Sequence, residues 1–220
     1  MIIGIKIFTI CYYTILISSI LLYYVTYKKA GYEWIKIIFY FLGGLLIIQI
    51  GSDGVAKLGY NNIFLSHIFF LYQFIFIGKL YLTLLKKYKY QQLLIKLYMT
   101  TIMLIMTISY LLYPESFFRY NLLEIILTNY LMIIGPLFYF YSTLTKKRMQ
   151  FYLNIGILSY GILSSSIQLY LNIIVTYKVE EVYTLWSLNY VITIIFQLTI
   201  LLQILHTIYT TRKLTYESAL

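Results

Sequence analysis

Long apolar runs, each ending after about 20 residues, follow one another along almost the whole chain. Seven can be placed, at residues 3–26, 34–52, 61–85, 92–113, 120–144, 151–176 and 183–209. About 20 apolar residues in a helix cross the ~30 Å hydrocarbon core of a bilayer. Membrane β-strands would alternate apolar and polar residues, whereas these runs are continuously apolar. The pattern therefore predicts an all-α, polytopic membrane protein, in which residues 1–220 form a single domain of seven transmembrane helices.

The composition excludes most soluble classes of protein. Of the 220 residues, 61% are hydrophobic and 11% are charged, and the mean hydropathy is +0.82. Soluble domains are about half apolar and about a quarter charged, and a chain of this size cannot bury so much apolar surface from water. The net charge of +10 lies in short clusters between the apolar runs. We therefore expect the lipid bilayer as a partner and no nucleic acid.

Basic residues mark alternate connections between the predicted helices. They follow the first, third, fifth and seventh runs, as Lys28 and Lys29; Lys86, Lys87 and Lys89; Lys146, Lys147 and Arg148; and Arg212 and Lys213. The other three connections carry Asp53 with Lys57, Glu115 with Arg119, and Lys178 with Glu180 and Glu181. Connections rich in lysine and arginine stay in the cytoplasm. We therefore expect the N-terminus outside and the C-terminus in the cytoplasm, in the inner (cytoplasmic) cell membrane.

Both ends of the predicted spans carry further signals. The first run has neither the basic start nor the cleavage pattern of a signal peptide, so it is expected to remain as a helix. Trp34 and Trp186 fall at opposite membrane interfaces, where tryptophan is enriched.

Polar residues recur at helical spacing inside four of the runs, which predicts faces that point into the bundle. They are Asn62, Ser66, His67 and Gln73; Glu124, Thr128, Gly135 and Ser142; Asn154, Gly161, Ser165, Gln168 and Asn172; and Asn189, Thr193, Gln197, Gln203 and His206. A simpler interpretation is that small residues such as Gly44, Gly51 and Gly161 let helices approach closely, while amides form hydrogen bonds between helices.

Eight of these side chains fall at compatible depths. With a rise of ~1.5 Å per residue, Glu124 lies ~7 Å below the outer surface, His67 lies ~10 Å below it, and the deepest lie ~20 Å below it. We expect the eight to line one outward-facing polar chamber that binds a small molecule or a lipid: Glu124, His67, Asn62, Gln73, Gln168, Asn172, Asn189 and Gln197.

Glu124 is the strongest single candidate in this set. It is the only carboxylate well inside an apolar run, and burying it in charged form costs at least ~2.5 kcal/mol. It should therefore be protonated, or bonded to a donor such as His67, Gln168 or Asn189. The alternative is that Glu124 faces lipid head groups near the interface. The two histidines are expected on opposite sides of the bilayer, so no metal site, cofactor or catalytic residue is assigned.

The segment from Asn61 to Phe69, with the sequence NNIFLSHIF, resembles a pattern in uncharacterised bacterial seven-helix proteins of this length. In those proteins two asparagines precede a histidine, and an acidic residue often stands where this chain has Gln73. The resemblance supports the architecture and draws attention to Asn62 and His67. It implies no activity.

Four other families resemble the chain in topology or size. Heptahelical receptors and rhodopsins share the expected topology, and a rhodopsin is excluded because no lysine lies between Tyr183 and Thr211 to hold retinal. PQ-loop sugar facilitators also share it, yet neither proline precedes a glutamine. Intramembrane lysoplasmalogenase-type hydrolases, a fainter resemblance, rely on paired aspartates, whereas Asp53 is the single aspartate and is expected in a loop.

Three functions follow from these features. The first is a sensing or signalling module that acts through a separate cytoplasmic or membrane partner, since the runs leave no room for a soluble output domain. The second is a transporter or facilitator for a small solute, because Asn154, Ser142, Gln203 and Thr207 continue the polar faces inward. The third is an intramembrane hydrolase that uses Glu124 and His67 as acid and base. No nucleophile or carboxylate pair supports that chemistry, so an enzyme is not expected.

Overall fold

The computed structural model describes residues 2–144, 149–177 and 182–217, and these residues form seven α-helices. The α-helices are α1 (Ile2–Ala30), α2 (Glu33–Lys57), α3 (Ile63–Leu84), α4 (Lys89–Leu112), α5 (Leu122–Ser142), α6 (Phe151–Tyr177) and α7 (Val182–Glu217), and a 3-10 helix (Pro114–Phe118) lies between α4 and α5. The all-α prediction is confirmed. Most helix ends fall within a few residues of the predicted ones, and α2 and α7 extend furthest beyond them.

Among the described residues, six helices are long and apolar enough to cross a membrane, and these are α1 to α5 and α7. The remaining helix, α6, has 27 residues, of which the side chains of residues 171–177 lie outside the described part. Asn154, Gln168 and the serines at 164–166 lower the hydropathy of the described part of α6. The connections from α1 to α2 and from α2 to α3 each contain a glycine in the left-handed region, Gly31 with a φ of 65° and Gly59 with a φ of 79°. Glycine ends helices in this conformation because it has no Cβ to clash.

Six of the helices form a ring in which each contacts the next. The order around the ring is α1, α2, α3, α5, α6 and α7, and the contact between α7 and α1 closes it. Within the described residues, α4 lies outside the ring and packs on α3, α5 and the 3-10 helix. The position of α4 explains why only Ile95, Ile102 and Met106 of this helix are buried.

Glycines lie where ring helices approach most closely. A Cβ placed on Gly44 would lie 2.0 Å from the Tyr72 hydroxyl of α3, and one on Gly161 would lie 2.8 Å from Met132 Cβ of α5. Both positions agree with the close-approach interpretation. Gly51 does not, because nothing lies within 4 Å of a Cβ placed there. That residue faces open space instead of a neighbouring helix.

One further expectation from the sequence is wrong. Asp53 belongs to α2, which continues through it to Lys57, and not to a loop. Trp34 is the second residue of α2, and its buried ring packs edge-on against Tyr23 with centroids 6.4 Å apart. Both residues therefore contribute to helix packing between α1 and α2. The side chain of Trp186 lies outside the described part of the chain.

Candidate functional site

A buried imidazole–carboxyl pair joins α3 to α5. Nδ1 of His67 contacts Oε2 of Glu124, and the two side chains are 2% and 0% exposed. His67 lies in the second turn of α3 and Glu124 in the first turn of α5. The Asn121 side chain caps α5 by accepting a hydrogen bond from the Glu124 backbone N–H at 3.3 Å. The cap and the positive end of the helix dipole both suit a carboxyl at this position.

The hydrogen-bond partners of His67 fix where its hydrogens lie. Nε2 is 3.0 Å from the carbonyl oxygen of Arg119. Because a carbonyl oxygen only accepts, Nε2 carries a hydrogen, and the contact between Nδ1 and Glu124 holds one further proton. That proton makes either a carboxylic acid beside a neutral imidazole or a carboxylate beside an imidazolium. The pair has zero net charge in both forms, which reduces the cost of burying it.

Two aromatic residues enclose the pair. The Tyr110 hydroxyl, from the end of α4, donates to Glu124 Oε2 at 2.6 Å and lies 3.0 Å from His67 Nδ1. Phe117, in the 3-10 helix, stacks on the imidazole with centroids 5.3 Å apart. Oε1 of Glu124 is buried and has no hydrogen-bond partner among the described protein groups. The cluster of His67, Glu124, Tyr110 and Phe117 is hereafter called the pair cluster.

The segment between α4 and α5 (residues 113–121, hereafter the α4–α5 connector) contacts the bundle at several points. It carries Phe117 and the Arg119 carbonyl, which both contact His67. Its Tyr120 hydroxyl donates to Oε1 of Gln168, on α6, at 2.6 Å. Burial raises the pKa of Tyr120 to about 12, so the phenol keeps its hydrogen at neutral pH. The connector is therefore held by side chains from two ring helices.

The remaining expected ligand-binding residues lie in separate places. Asn62 donates to the Ser52 hydroxyl at 2.8 Å, at the junction of α2 and α3. Gln73 is buried one level below the pair and donates to Oδ1 of Asn129 at 3.0 Å. Oδ1 of Asn189 and Oε1 of Gln197 are buried without a hydrogen-bond partner among the described groups. The side chain of Asn172 lies outside the described residues.

Of the eight expected residues, the structure brings His67 and Glu124 into contact and attaches Gln168 to the same connector. No pattern in the sequence distinguished Tyr110 or Phe117 among the 27 tyrosines and 14 phenylalanines of the chain. Asn129 was missed because it lies ~100° around α5 from Thr128, outside a narrow stripe. A wider buried face, which includes both residues, would have found it.

Further buried polar contacts follow the ring helices away from the pair cluster. The Tyr81 hydroxyl of α3 donates to Asn154 Oδ1 of α6 at 3.0 Å, and the Tyr139 hydroxyl of α5 donates to Gln150 Oε1 at 2.8 Å. Gln203 of α7 donates to the carbonyl oxygen of Met149 at 2.9 Å. Polar side chains thus join α3 to α6, and they join α5 and α7 to the residues that precede α6.

The described residues contain no group of three or more histidine, cysteine, aspartate or glutamate side chains placed to hold a metal ion. Comparison with protein-family models, with curated proteins and with solved structures finds no match to this chain. The fold and the site themselves define the class: an all-α protein with membrane-spanning helices and a buried imidazole–carboxyl pair at one end of its bundle.

Proposed function

We propose that the protein is a membrane sensing module whose responsive element is the pair cluster. The observation that supports this proposal is that His67 holds both Glu124 and the α4–α5 connector. One ring nitrogen contacts the carboxyl and the other contacts the Arg119 carbonyl. A change in the hydrogen bonds of Glu124 therefore alters how the imidazole holds the connector. A switch of this kind needs two arrangements of the α4–α5 connector whose relative populations depend on the state of the pair cluster.

The ligand of this module is a small polar molecule or a lipid head group that supplies a hydrogen-bond donor. Oε1 of Glu124 accepts no hydrogen bond from the described protein groups, and a buried acceptor without a donor costs about 1–3 kcal/mol. A ligand that donates a hydrogen bond to this oxygen gains that free energy. By the distribution of lysine and arginine, this end of the bundle faces outward. The response then passes to a separate signalling partner on the basic cytoplasmic side.

The experiment follows the connector with a single label. In a Cys11→Ser background, which removes the one native cysteine, Phe118→Cys places a nitroxide on an exposed connector residue. The full chain is studied in lipid nanodiscs by electron paramagnetic resonance. Glu124→Gln is expected to increase the mobility of the label, because the amide cannot share a proton with His67. Glu115→Gln is the matched control, since Glu115 is an exposed connector carboxylate.

Ligand response is measured on the same label with a panel of small amines, amides and lysophospholipids. At least one compound is expected to change the mobility of the label in the wild type and not in the Glu124→Gln variant. If Glu124→Gln leaves the label as mobile as in the wild type, the pair does not hold the connector and the proposal fails. A response that survives Glu124→Gln in full would place the ligand elsewhere.

A transporter is the second candidate, and the stacked polar contacts support it. Gln73 and Asn129, then Tyr81 and Asn154, follow the pair cluster along the ring helices. Vesicles that contain the protein, assayed for uptake of a panel of labelled polar metabolites, distinguish the two functions. A sensor leaves uptake at the level of empty vesicles, whereas a transporter gives a flux of at least one solute that Gln73→Leu reduces.

A further inference from the structure

An open groove separates α1 from α2 at the end of the bundle where α2 terminates. Its volume is about 820 Å³, and its lining combines apolar Ile10 and Ile50 with polar Tyr13, Asp53 and Lys57. None of the eight residues expected to bind a ligand lines it. The groove therefore forms a second candidate site, separate from the pair cluster and independent of its proposed function.

Asp53 gives the groove a negative charge, and its carboxylate can accept further hydrogen bonds from a ligand. Its Oδ2 accepts from the Tyr13 hydroxyl at 2.6 Å and its Oδ1 accepts from Gln49 at 2.9 Å. A carboxylate accepts about four hydrogen bonds, so about two remain. Among the described side chains, Asp53 has no ion-pair partner within 4.0 Å. The carboxylate is thus oriented by two neutral donors and is free to bind a cation.

Lys57 adds a positive charge one helical turn beyond Asp53. Residues four apart on a helix have Cβ atoms ~5–6 Å apart on the same face. The lysine is exposed and is the last residue of α2. An anionic group bound by Lys57 and a cationic group bound by Asp53 would therefore be neighbours in one bound molecule.

The groove lies at the boundary between apolar and polar surroundings. The membrane-spanning segments are Ile7–Ala30 in α1 and Glu33–Lys57 in α2, so Ile10 and Lys57 lie close to the same end of their spans. Phospholipid head groups occupy this level of a bilayer, and acyl chains lie directly beneath it. A lipid in the groove would place its acyl chains against Ile10 and Ile50 and its head group beside the two charges.

We propose that this groove binds a zwitterionic phospholipid whose head group ends in a primary ammonium. The ammonium donates hydrogen bonds to Asp53, and the phosphate pairs with Lys57. An anionic lipid without an amine offers no group for the Asp53 carboxylate. A trimethylated head group keeps the charge but has no N–H to donate. The selectivity therefore follows from hydrogen bonding to one carboxylate.

The test is lipid retention by the full-length protein in native mass spectrometry. The probes are phosphatidylethanolamine, phosphatidylcholine and phosphatidylglycerol with identical acyl chains, and glycerophosphoethanolamine as the soluble head group alone. Asp53→Asn is expected to weaken phosphatidylethanolamine binding about tenfold, the scale of one charge-assisted hydrogen bond. Phosphatidylglycerol binding should stay unchanged or rise. The soluble head group should bind far more weakly, because it lacks the acyl chains.

A second pair of variants separates lipid binding from folding. Gly54 lines the groove and nothing lies within 4 Å of a Cβ placed on it, so Gly54→Leu fills the groove without a clash. Gly43 lies in the same helix, does not line this groove and is equally open, so Gly43→Leu is the matched control. Only Gly54→Leu should abolish retention. Equal retention of the three lipids, or wild-type retention by both Asp53→Asn and Gly54→Leu, would overturn the proposal.

Discussion

Contact between Glu124 and His67 reduces the free-energy cost of burying each side chain. A lone carboxylate or imidazolium in this position would have to give up its charge or be hydrated. In contact, the two side chains share one proton and remain neutral as a pair. The sequence predicted a donor such as His67 for Glu124, since both lie at similar depth on polar faces. It could not predict Tyr110 or Phe117, because aromatic residues fill every helix.

The first prediction concerns the strength of this pair. Removing one partner of a buried pair leaves the other unpaired, at a cost of about 3 kcal/mol. Glu124→Ala and His67→Ala should therefore each destabilise the protein by about 3 kcal/mol in reversible unfolding from detergent micelles. The double variant should lose clearly less than the sum, because the two residues act as a unit. Additive losses would argue against the shared proton.

The second prediction concerns the Tyr110 hydroxyl. Tyr110→Phe keeps the ring that packs edge-on against His67 and Phe117 but removes the donor to Glu124. The free energy of unfolding is expected to fall by about 1.5 kcal/mol, the scale of a hydrogen bond to an acidic group. Tyr113→Phe, at an exposed tyrosine of the connector, is the control for the same unfolding measurement. An equal effect of the two substitutions would contradict the assigned role.

At the scale of the helices, small residues decide which faces meet. Gly161 of α6 lies against Met132 of α5, and Gly135 of α5 lies against the ring of Tyr81 on α3. The polar faces of α5 and α6 were correctly predicted to point inward at Glu124, Thr128 and Asn154, which are all buried. Gly51 was wrongly grouped with the contact glycines, because the sequence alone does not distinguish a glycine at a helix crossing from one that faces open space.

The third prediction tests one helix crossing. Gly161→Leu should destabilise the bundle by about 2 kcal/mol, because overpacking a close contact forces neighbouring helices apart. Gly43→Leu gains the same helix propensity but meets open space, so it should be neutral or stabilising. Thermal unfolding in one detergent compares the two variants directly. A similar loss in both would show that the glycines matter for helix flexibility and not for packing.

The ends of the helices were less predictable than their cores. The apolar run of α2 stops at residue 52, yet the helix continues to Lys57, since Asp53 is held by Tyr13 of α1. The 3-10 helix at Pro114–Phe118 has five residues, which is too short for a periodic pattern of hydrophobic residues to reveal it in the sequence. Its place over His67 depends on contacts between α3, α4 and α5 that no local pattern encodes. Tertiary contacts therefore set the parts of the molecule nearest both candidate sites.

At the scale of the whole molecule, the ring of six helices with α4 outside it places the pair cluster near the helix ends. His67 and Glu124 lie near the first residues of α3 and α5, and Tyr110 lies near the last residues of α4. The three helices therefore meet at one end of the bundle. The seven apolar runs in the sequence predicted helices that alternate in direction across the membrane. They did not predict that α4 would lie outside the ring.

The fourth prediction concerns orientation. The positive-inside pattern predicts that the C-terminus lies in the cytoplasm and the pair cluster on the outer side. A C-terminal fluorescent reporter should be active and a C-terminal alkaline phosphatase inactive. The Phe118→Cys connector residue should react with a membrane-impermeant thiol reagent applied to intact cells. Opposite results in both assays would reverse the sidedness of the proposed sensor.

The shared proton between His67 and Glu124 is tested most directly by nitrogen NMR of the full chain with ¹⁵N-labelled histidine. The chain has two histidines, so His206→Gln leaves the His67 signals alone for assignment. We expect a hydrogen fixed on Nε2, an Nδ1 shift between those of a neutral and a protonated imidazole, and loss of that intermediate shift in Glu124→Gln. An Nδ1 signal typical of a solvent-exposed imidazole, unchanged by Glu124→Gln, would contradict the account.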